Sequence, residues 1–199
     1  MLVAIDSIIG APVVSMQTSQ PLGIITEPII NPYTFKVVAF YVDGPMVQYN
    51  PAVIFTEDIR LLDRRGVLID SMNNIMSPVD MVRLNEVISY DFHLVKLLVI
   101  DNHKQKLGRI GSYIVDTHSF NIMQIVVTPR FWRSLSVTEL TIGRDQIIEV
   151  DDKKVIVKAP DVRIKQLQPV KAVNPTLNPE FDNPFRKPKT RPAESVQSR

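Results

Sequence analysis

The residue types that most often carry chemistry are sparse in this sequence. There are three histidines, His93, His103 and His118, and no cysteines, which excludes disulfides, thiol chemistry and cysteine-bound metals. None of the histidines stands at a metal-ligand spacing from another histidine or an acidic residue on a predicted helix. His103 and His118 fall in predicted turns, as solvated loop residues usually do. We therefore expect no metal site and no cofactor.

Two further patterns were considered as catalytic or phosphate-binding motifs. The pair Asp151-Asp152 could suggest acid–base or metal chemistry, but Lys153 follows it at once and the segment has the composition of a hairpin tip. Gly23 and Gly108 are isolated, so no glycine-rich loop is available to hold a phosphate. The sequence predicts no catalytic residues, and we expect a protein that is not an enzyme.

The strongest binding candidate is a short aromatic and basic segment. It contains the only tryptophan between two arginines, in the order Arg130, Phe131, Trp132, Arg133. Arginine and aromatic residues are enriched at protein interfaces and at nucleic-acid contacts. The alternative is that the two aromatic side chains plug one end of a small barrel while the arginines are solvated.

A second binding candidate lies in the tail, residues 163–199. This segment carries six of the 15 prolines, no glycine and a net charge of +5, whereas the preceding 162 residues carry −3. Such a composition predicts an extended, disordered chain, because it buries too little apolar surface to offset its ordering entropy. Its aromatic and basic residues are either docking elements or parts of an inert solubilising tail, and they are Phe181, Phe185, Arg186, Lys187, Lys189 and Arg191.

The body of the chain contains an internal repeat, which identifies the elements that must position these candidates. At a shift of 85 residues the sequence matches itself without a gap from Gly10 to Val42, with Val13 over Leu98 and Phe35 over Phe120. Residues 59–69 match residues 147–157 at a shift of 88. Short apolar runs bounded by Asx and Gly clusters indicate β-strands in both copies. We expect Phe35 and Phe120 to occupy equivalent, buried positions.

Two local signals complete the secondary-structure prediction. The tetrapeptides at 63–66 and 151–154 each separate two apolar runs and predict tight hairpins, with Gly66 suited to a positive φ. Ser77 before Pro78 predicts the start of a helix, with Met81, Leu84 and Ile88 on one face. We expect this helix to connect the copies and to pack on one of them.

Each copy resembles a PRC-barrel domain. The resemblance rests on an apolar strand, a polar turn, Leu-Gly-x-Ile, a strand ending in Asx and a turn with Ser/Thr-Phe, and it covers roughly Gly10 to Ala159. Pro28 and Pro32 depart from it in the first copy. It implies a mainly all-β fold of two tandem small barrels, with residues 1–75 as the first domain, 76–90 as a connecting helix, 91–162 as the second domain and 163–199 as the tail.

The family resemblance implies partner binding without catalysis. The first hypothesis is an adaptor that gathers partner proteins through its two domains and its basic tail. The alternative is an RNA- or ribosome-associated maturation factor, for which Arg130, Trp132, Arg133 and the tail cations would be the contacts. Nothing in the sequence indicates DNA binding, a secretory signal or an apolar run long enough to span a membrane. A cytoplasmic location is expected, and the oligomeric state stays open.

Overall fold

Across the part of the chain that the structure describes, the fold consists of two β-sheets and one α-helix. The computed structural model describes residues 1–63, 65–129 and 139–158, which all belong to one compact unit. Most of the secondary structure in these residues is β-strand, which confirms the prediction of a mainly β protein. Within the described residues, no helix has both the length and the hydropathy of a membrane span.

The first sheet is built from the first sequence repeat. Its strands are β2 (Pro12–Ser15), β3 (Pro21–Asn31), β4 (Lys36–Asp43), β5 (Ala52–Phe55), β6 (Ile59–Asp63) and β7 (Gly66–Ile69). Their order across the sheet is β5-β4-β3-β2-β7-β6, and β2 and β7 run parallel while the other neighbours are antiparallel. A 3-10 turn at Thr56–Asp58 separates β5 from β6.

The second sheet repeats this arrangement. Its strands are β8 (Leu98–Asp101), β9 (Lys106–Asp116), β10 (Ile122–Pro129), β11 (Leu140–Gly143), β12 (Ile147–Val150) and β13 (Lys154–Val157), with β1 (Leu2–Ala4) added beside β9. The order is β11-β10-β9-β8-β13-β12, and β8 and β13 form the parallel pair. A 3-10 turn at Arg144–Gln146 separates β11 from β12. The terminal strands of this path do not pair with each other, nor do those of the first sheet, so the barrel closure stays a prediction.

The two sheets agree in register as well as in strand order. Each sheet has register shifts at the same four places, where one residue is left without a direct cross-strand partner. Such residues bend a strand and increase its twist, so the coincidence shows that the repeat extends to local backbone geometry. The residues without a direct cross-strand partner are Leu22, Thr26, Val38 and Arg60 in the first repeat, and Leu107, Gly111, Met123 and Ile148 in the second.

The structure corrects the alignment of the first strand in each repeat. Val13 pairs with Gly23 and Val67, and Val99 makes the equivalent pairs, so Val13 corresponds to Val99 and the predicted match to Leu98 is wrong by one residue. The cause is the turn that follows, which spans residues 16–20 in the first repeat and 102–105 in the second. An ungapped alignment could not detect this difference because the neighbouring residues are all apolar.

Phe35 and Phe120 occupy equivalent, buried positions, as predicted. They are 6% and 5% exposed, and both lie in the turn before a strand with φ of +52° and +56°. A side chain larger than glycine seldom adopts this left-handed conformation, and it persists where surrounding packing fixes it. The strand after Phe120, β10, begins only at Ile122, because Phe120 closes the turn.

One continuous apolar core joins the two sheets. Val13, Val37 and Phe40 from the first repeat belong to the same cluster of buried side chains as Val99 and Ile125 from the second. Contact between the repeats includes an edge-to-face pair, with the ring centroids of Phe40 and Phe120 6.4 Å apart. The division into domains at residues 75, 90 and 162 stays a prediction.

The segment before each repeat packs on the sheet of the other repeat. Strand β1 pairs with β9 of the second sheet. Helix α1 (Val82–Ser89), which precedes the second repeat, packs through Leu84 against Ile29, Ala39 and Val53 of the first sheet. Leu84 is only 3% exposed in this contact, and Met81 and Ile88, on the same predicted face, are partly buried.

The start of the helix differs from the prediction. Ser77 accepts a hydrogen bond from the Val79 backbone N–H, but it caps a 3-10 turn at Pro78–Asp80, and the α-helix begins only at Val82. Met81, at φ −117° and ψ 88°, separates the two. The capping signal was correct as local chemistry, but Ser77 caps the 3-10 turn and not the α-helix.

Candidate functional site: a cleft between the repeats

A cleft lies between a hairpin of the first repeat and an edge strand of the second. The hairpin joins β3 to β4, and the edge strand is β12 with the turn that follows it. The cleft has a volume of about 630 Å³. Its lining residues, called cleft 1 below, are Pro32, Tyr33, Phe35, Tyr90, Phe92, Arg144, Ile147, Ile148, Glu149, Val150, Asp151 and Asp152.

The hairpin wall is held in shape by side chains at both ends of its turn. Asn31 Oδ1 accepts hydrogen bonds from the backbone N–H groups of Tyr33 at 3.0 Å and Thr34 at 3.2 Å. Such Asx turns fix a loop locally, while the buried ring of Phe35 anchors the other end. The turn therefore presents Tyr33 to solvent, where its side chain is 80% exposed.

A second tyrosine supports Tyr33 from the segment after α1. The rings of Tyr33 and Tyr90 meet edge to face, with centroids 5.3 Å apart. Tyr90 donates a hydrogen bond from its hydroxyl to Glu86 Oε1 at 2.9 Å, and this bond raises the pKa of the phenol above its ordinary value. The rings are thus fixed in position while much of their surface remains open to the cleft.

The opposite wall is an edge strand that ends in an acidic turn. Within the described residues β12 pairs only with β13, so its other side has unpaired backbone groups. Ile148 is 53% exposed. At the end of the strand the Asp151 carboxylate accepts from the Asp152 backbone N–H at 2.6 Å. A hydrogen bond between the two carboxyl groups lowers the pKa of Asp151 and raises that of Asp152.

Arg144 connects the two walls at the base of the cleft. Its guanidinium donates to the backbone oxygens of Thr34 at 2.8 Å and Phe35 at 3.0 Å, and it lies 5.8 Å from the centroid of the Phe35 ring. A planar guanidinium suits this forked pattern better than an ammonium would. Because these donors are committed to backbone carbonyls, Arg144 positions the hairpin and is poorly placed to bind an anion.

A reciprocal pair of backbone hydrogen bonds relates the two repeats. Ile122 N–H donates to Phe35 O at 3.1 Å, and Val37 N–H donates to Phe120 O at 3.0 Å. Phe35 corresponds to Phe120 and Val37 to Ile122, so the two hydrogen bonds join equivalent atoms in opposite directions. This is the self-complementary pattern of a two-fold interface, here formed within one chain.

The same relation places a second, smaller cleft opposite the first. It has a volume of about 250 Å³ and lies between the β9–β10 hairpin and the edge strand β6. Its residues, called cleft 2 below, include Thr117, His118 and Phe120 at the positions of Pro32, Tyr33 and Phe35. The full lining is Lys36, Thr56, Glu57, Ile59, Arg60, Leu61, Leu62, Thr117, His118 and Phe120.

No group of three or more metal-ligating side chains occurs among the described residues. Of the histidines, His93 lies between two carboxylates, with Nδ1 3.0 Å from Glu27 Oε1 and Nε2 3.1 Å from Asp91 Oδ1. His118 lines cleft 2 and is exposed. What the clefts offer chemically is therefore exposed aromatic surface, edge-strand backbone and carboxylates.

The binding residues predicted from sequence all lie outside the described residues. This applies to Arg130, Phe131, Trp132 and Arg133 in the β10–β11 connection, and to Phe181, Phe185, Arg186, Lys187, Lys189 and Arg191 in the tail. Sequence reasoning missed Tyr33, Tyr90 and Arg144. The one signal that could have found Tyr33 is the repeat itself. Tyr33 aligns with His118 in the same turn of the other repeat, and a position at which the two repeats differ is not explained by the structure that they share.

Comparison of the chain with protein-family models gave no match, and neither did comparison with curated proteins. The resemblance to PRC-barrel domains therefore rests on the residues that carry it.

Proposed function

We propose that this protein is a non-catalytic adaptor that holds a segment of a partner protein in cleft 1. The observation that carries the proposal is an open cleft of about 630 Å³, bordered on one side by the exposed ring of Tyr33 and the partly buried rings of Tyr90 and Phe92, and on the other by an edge strand. Clefts that combine apolar surface with a few polar groups are the usual place for a bound ligand. Aromatic side chains are also the residues that contribute most to protein interfaces.

The finer assignment of the fold belongs to the same proposal. Each repeat is proposed to be a small barrel of PRC-barrel type, and the support is the shared strand order, the shared register shifts and the parallel pairing of first and last strands. The lack of cysteine supports a cytoplasmic location. The contribution of the tail to partner binding stays a prediction.

The RNA-binding alternative is less well supported at this site. The lining residues of cleft 1 carry three carboxylates and one guanidinium, a net negative charge that repels phosphate. The alternative therefore depends on Arg130, Trp132, Arg133 and the tail. An absorbance ratio at 260 and 280 nm on freshly purified protein, at low and high salt, would reveal bound nucleic acid.

The test of the adaptor proposal uses two equivalent residues as probe and control. The full chain is immobilised and random peptides are selected on it by display. The affinities of the selected peptides are then measured by fluorescence anisotropy for the wild type, Tyr33→Ala and His118→Ala. We expect Tyr33→Ala to weaken binding by about tenfold, the loss typical of an aromatic anchor, and His118→Ala to leave it unchanged.

Two results would contradict the proposal. One is a selection that enriches no peptide over the bare support. The other is a set of peptides whose affinity is unaffected by Tyr33→Ala, because those peptides bind elsewhere.

A further inference from the structure

We infer that the ligand of cleft 1 is an extended, positively charged peptide that lies along the free side of β12 as an added strand. The inference rests on the proposed function and specifies its partner. It combines three features of the cleft: the exposed edge, the carboxylates and the aromatic rings. Cleft 2, at the equivalent place in the other repeat, lacks this combination.

The shape of the cleft fits a strand. Its wall includes every residue of β12, Ile147 to Val150, followed by Asp151 and Asp152. Consecutive strand residues point to opposite faces of a sheet, so a cleft that touches all of them runs along the edge rather than across one face. Extended peptides bind such edges through backbone hydrogen bonds, with side-chain pockets supplying specificity.

The charge of the cleft fits a cation. Glu149, Asp151 and Asp152 line it and are exposed. Arg144, the one cation among the described residues that line the cleft, is already bound to the carbonyls of Thr34 and Phe35. Lys153 and Lys154 follow the acidic turn and moderate its potential, but neither lines the cleft. An arginine or lysine of the ligand would therefore meet the Glu149 carboxylate and, at the end of the strand, the hydrogen-bonded pair of Asp151 and Asp152.

The aromatic rings favour the same ligand. Tyr33, Tyr90 and Phe92 border the cleft opposite the carboxylates. The face of an aromatic ring attracts a guanidinium or ammonium group within about 6 Å of its centroid. A basic side chain that enters between the walls can thus contact a ring and a carboxylate together.

Cleft 2 provides the internal control. Its hairpin carries His118 in place of Tyr33, and its edge strand carries Arg60 and Leu61 in place of Ile148 and Glu149. Arg60 also forms a bidentate pair with Asp70, with Nη2 2.6 Å from Oδ2, beside the strand edge. Neither the charge nor the aromatic surface of cleft 2 suits a basic strand.

The experiment measures three fluorescein-labelled peptides of equal length on the full chain. One is rich in arginine and threonine, the second has glutamine in place of each arginine, and the third has glutamate in place of each arginine. We expect the arginine peptide to bind at least tenfold more tightly than the others. Glu149→Gln and Asp152→Asn should each reduce its affinity roughly two- to fivefold, the effect of losing one exposed ion pair. Glu57→Gln in cleft 2 should have no effect.

Strand addition has its own readout. N-methylation of alternate peptide bonds removes the donors that would face β12, so one of the two methylated registers should bind at least tenfold more weakly than the parent peptide. If both registers bind as the parent does, the added strand is wrong. If the glutamine peptide binds as tightly as the arginine peptide and Tyr33→Ala abolishes both, the charge inference is wrong while cleft 1 remains the binding site. If no peptide binds and the display selection also fails, the adaptor proposal itself is contradicted.

Discussion

The two repeats share their backbone and differ in the side chains that border their clefts. Strand order, the four register shifts and the left-handed turn at Phe35 and Phe120 are common to both. Tyr33 faces one cleft where His118 faces the other, and Arg144 stands where the first repeat has Thr56. The buried positions maintain the fold in both halves, so the exposed positions are free to diverge and to give one cleft a function that the other lacks.

The largest expected effect tests the shared part of this comparison. Phe35→Ala and Phe120→Ala should each lower the free energy of unfolding by ~3–5 kcal/mol, because each removes a buried ring and leaves a cavity. Urea denaturation followed by circular dichroism would measure both. Tyr33 lies two residues before Phe35 but is 80% exposed, so Tyr33→Ala should change stability by less than about 0.5 kcal/mol. Unequal losses for the two phenylalanines would weaken the equivalence of the repeats.

Arg144 and Thr56 occupy equivalent positions and should differ in cost. Arg144→Ala removes charged donors from two backbone carbonyls of the other repeat, for which we expect a loss of about 1.5–3 kcal/mol. Thr56→Ala removes one neutral hydrogen bond to Val38 O, worth about 1 kcal/mol. Thermal unfolding of Arg144→Ala and Thr56→Ala measures the difference between the two losses of stability. Arg144→Lys, measured in the same way, tests whether the forked geometry matters. A loss from Arg144→Ala no larger than that from Thr56→Ala would show that the bridge between repeats is unimportant.

Tyr113 is a buried position at which the second repeat carries a polar group that the first lacks. Among the residues that the structure describes, its hydroxyl has no hydrogen-bond partner, and burial raises the pKa of the phenol far above its ordinary value. Since an unsatisfied buried hydroxyl is destabilising, Tyr113→Phe should raise the free energy of unfolding by about 1 kcal/mol. Tyr49→Phe, an exposed control, should have no effect. A destabilised Tyr113→Phe variant would mean that the hydroxyl has a partner, such as a bound water.

The smallest effect concerns the residues that end β3 and β9. Asn31 ends β3, and its equivalent Asp116 accepts hydrogen bonds from Ser119 and from the N-terminal ammonium group. These contacts, that from the Ser119 hydroxyl foremost, hold the pKa of Asp116 well below its ordinary value. A lowered folded-state pKa stabilises the protein above the unfolded-state pKa, about 3.9, and the contribution is lost as the pH falls below it.

Asp116→Asn should therefore lower stability by about 0.5–1 kcal/mol at neutral pH, because the contacts are partly exposed. The difference from the wild type should shrink as the pH falls below about 3.9, and it is fully lost only below the lower folded-state pKa of Asp116. Urea denaturation at pH 7 and at about pH 3 would measure it. A difference that is equal at both pH values would show that the charge of Asp116 does not contribute.

Much of the fold could be predicted because local rules and the repeat agree with it. The hairpins at 63–66 and 151–154 follow from turn composition between apolar runs, and the burial of Phe35 and Phe120 follows from their alignment. The pairing of β1 with β9 joins residues that are at least 110 positions apart in the chain, and it has no local signal. The turn after β2 is one residue longer than the turn after β8, and this difference has no local signal either. Shifting an apolar strand by one position leaves its composition unchanged.

The sequence by itself determined the β class, the duplication, the turns and the face on which α1 is apolar. These depend on periodicity and turn chemistry, which act between residues close in the chain. Only the tertiary structure decided that the segment before each repeat packs on the opposite sheet, that the two hairpins exchange backbone hydrogen bonds and that Tyr33, Tyr90 and Glu149 border one cleft. Those contacts join residues far apart in the chain, and their geometry is set by how the two sheets bury a common core.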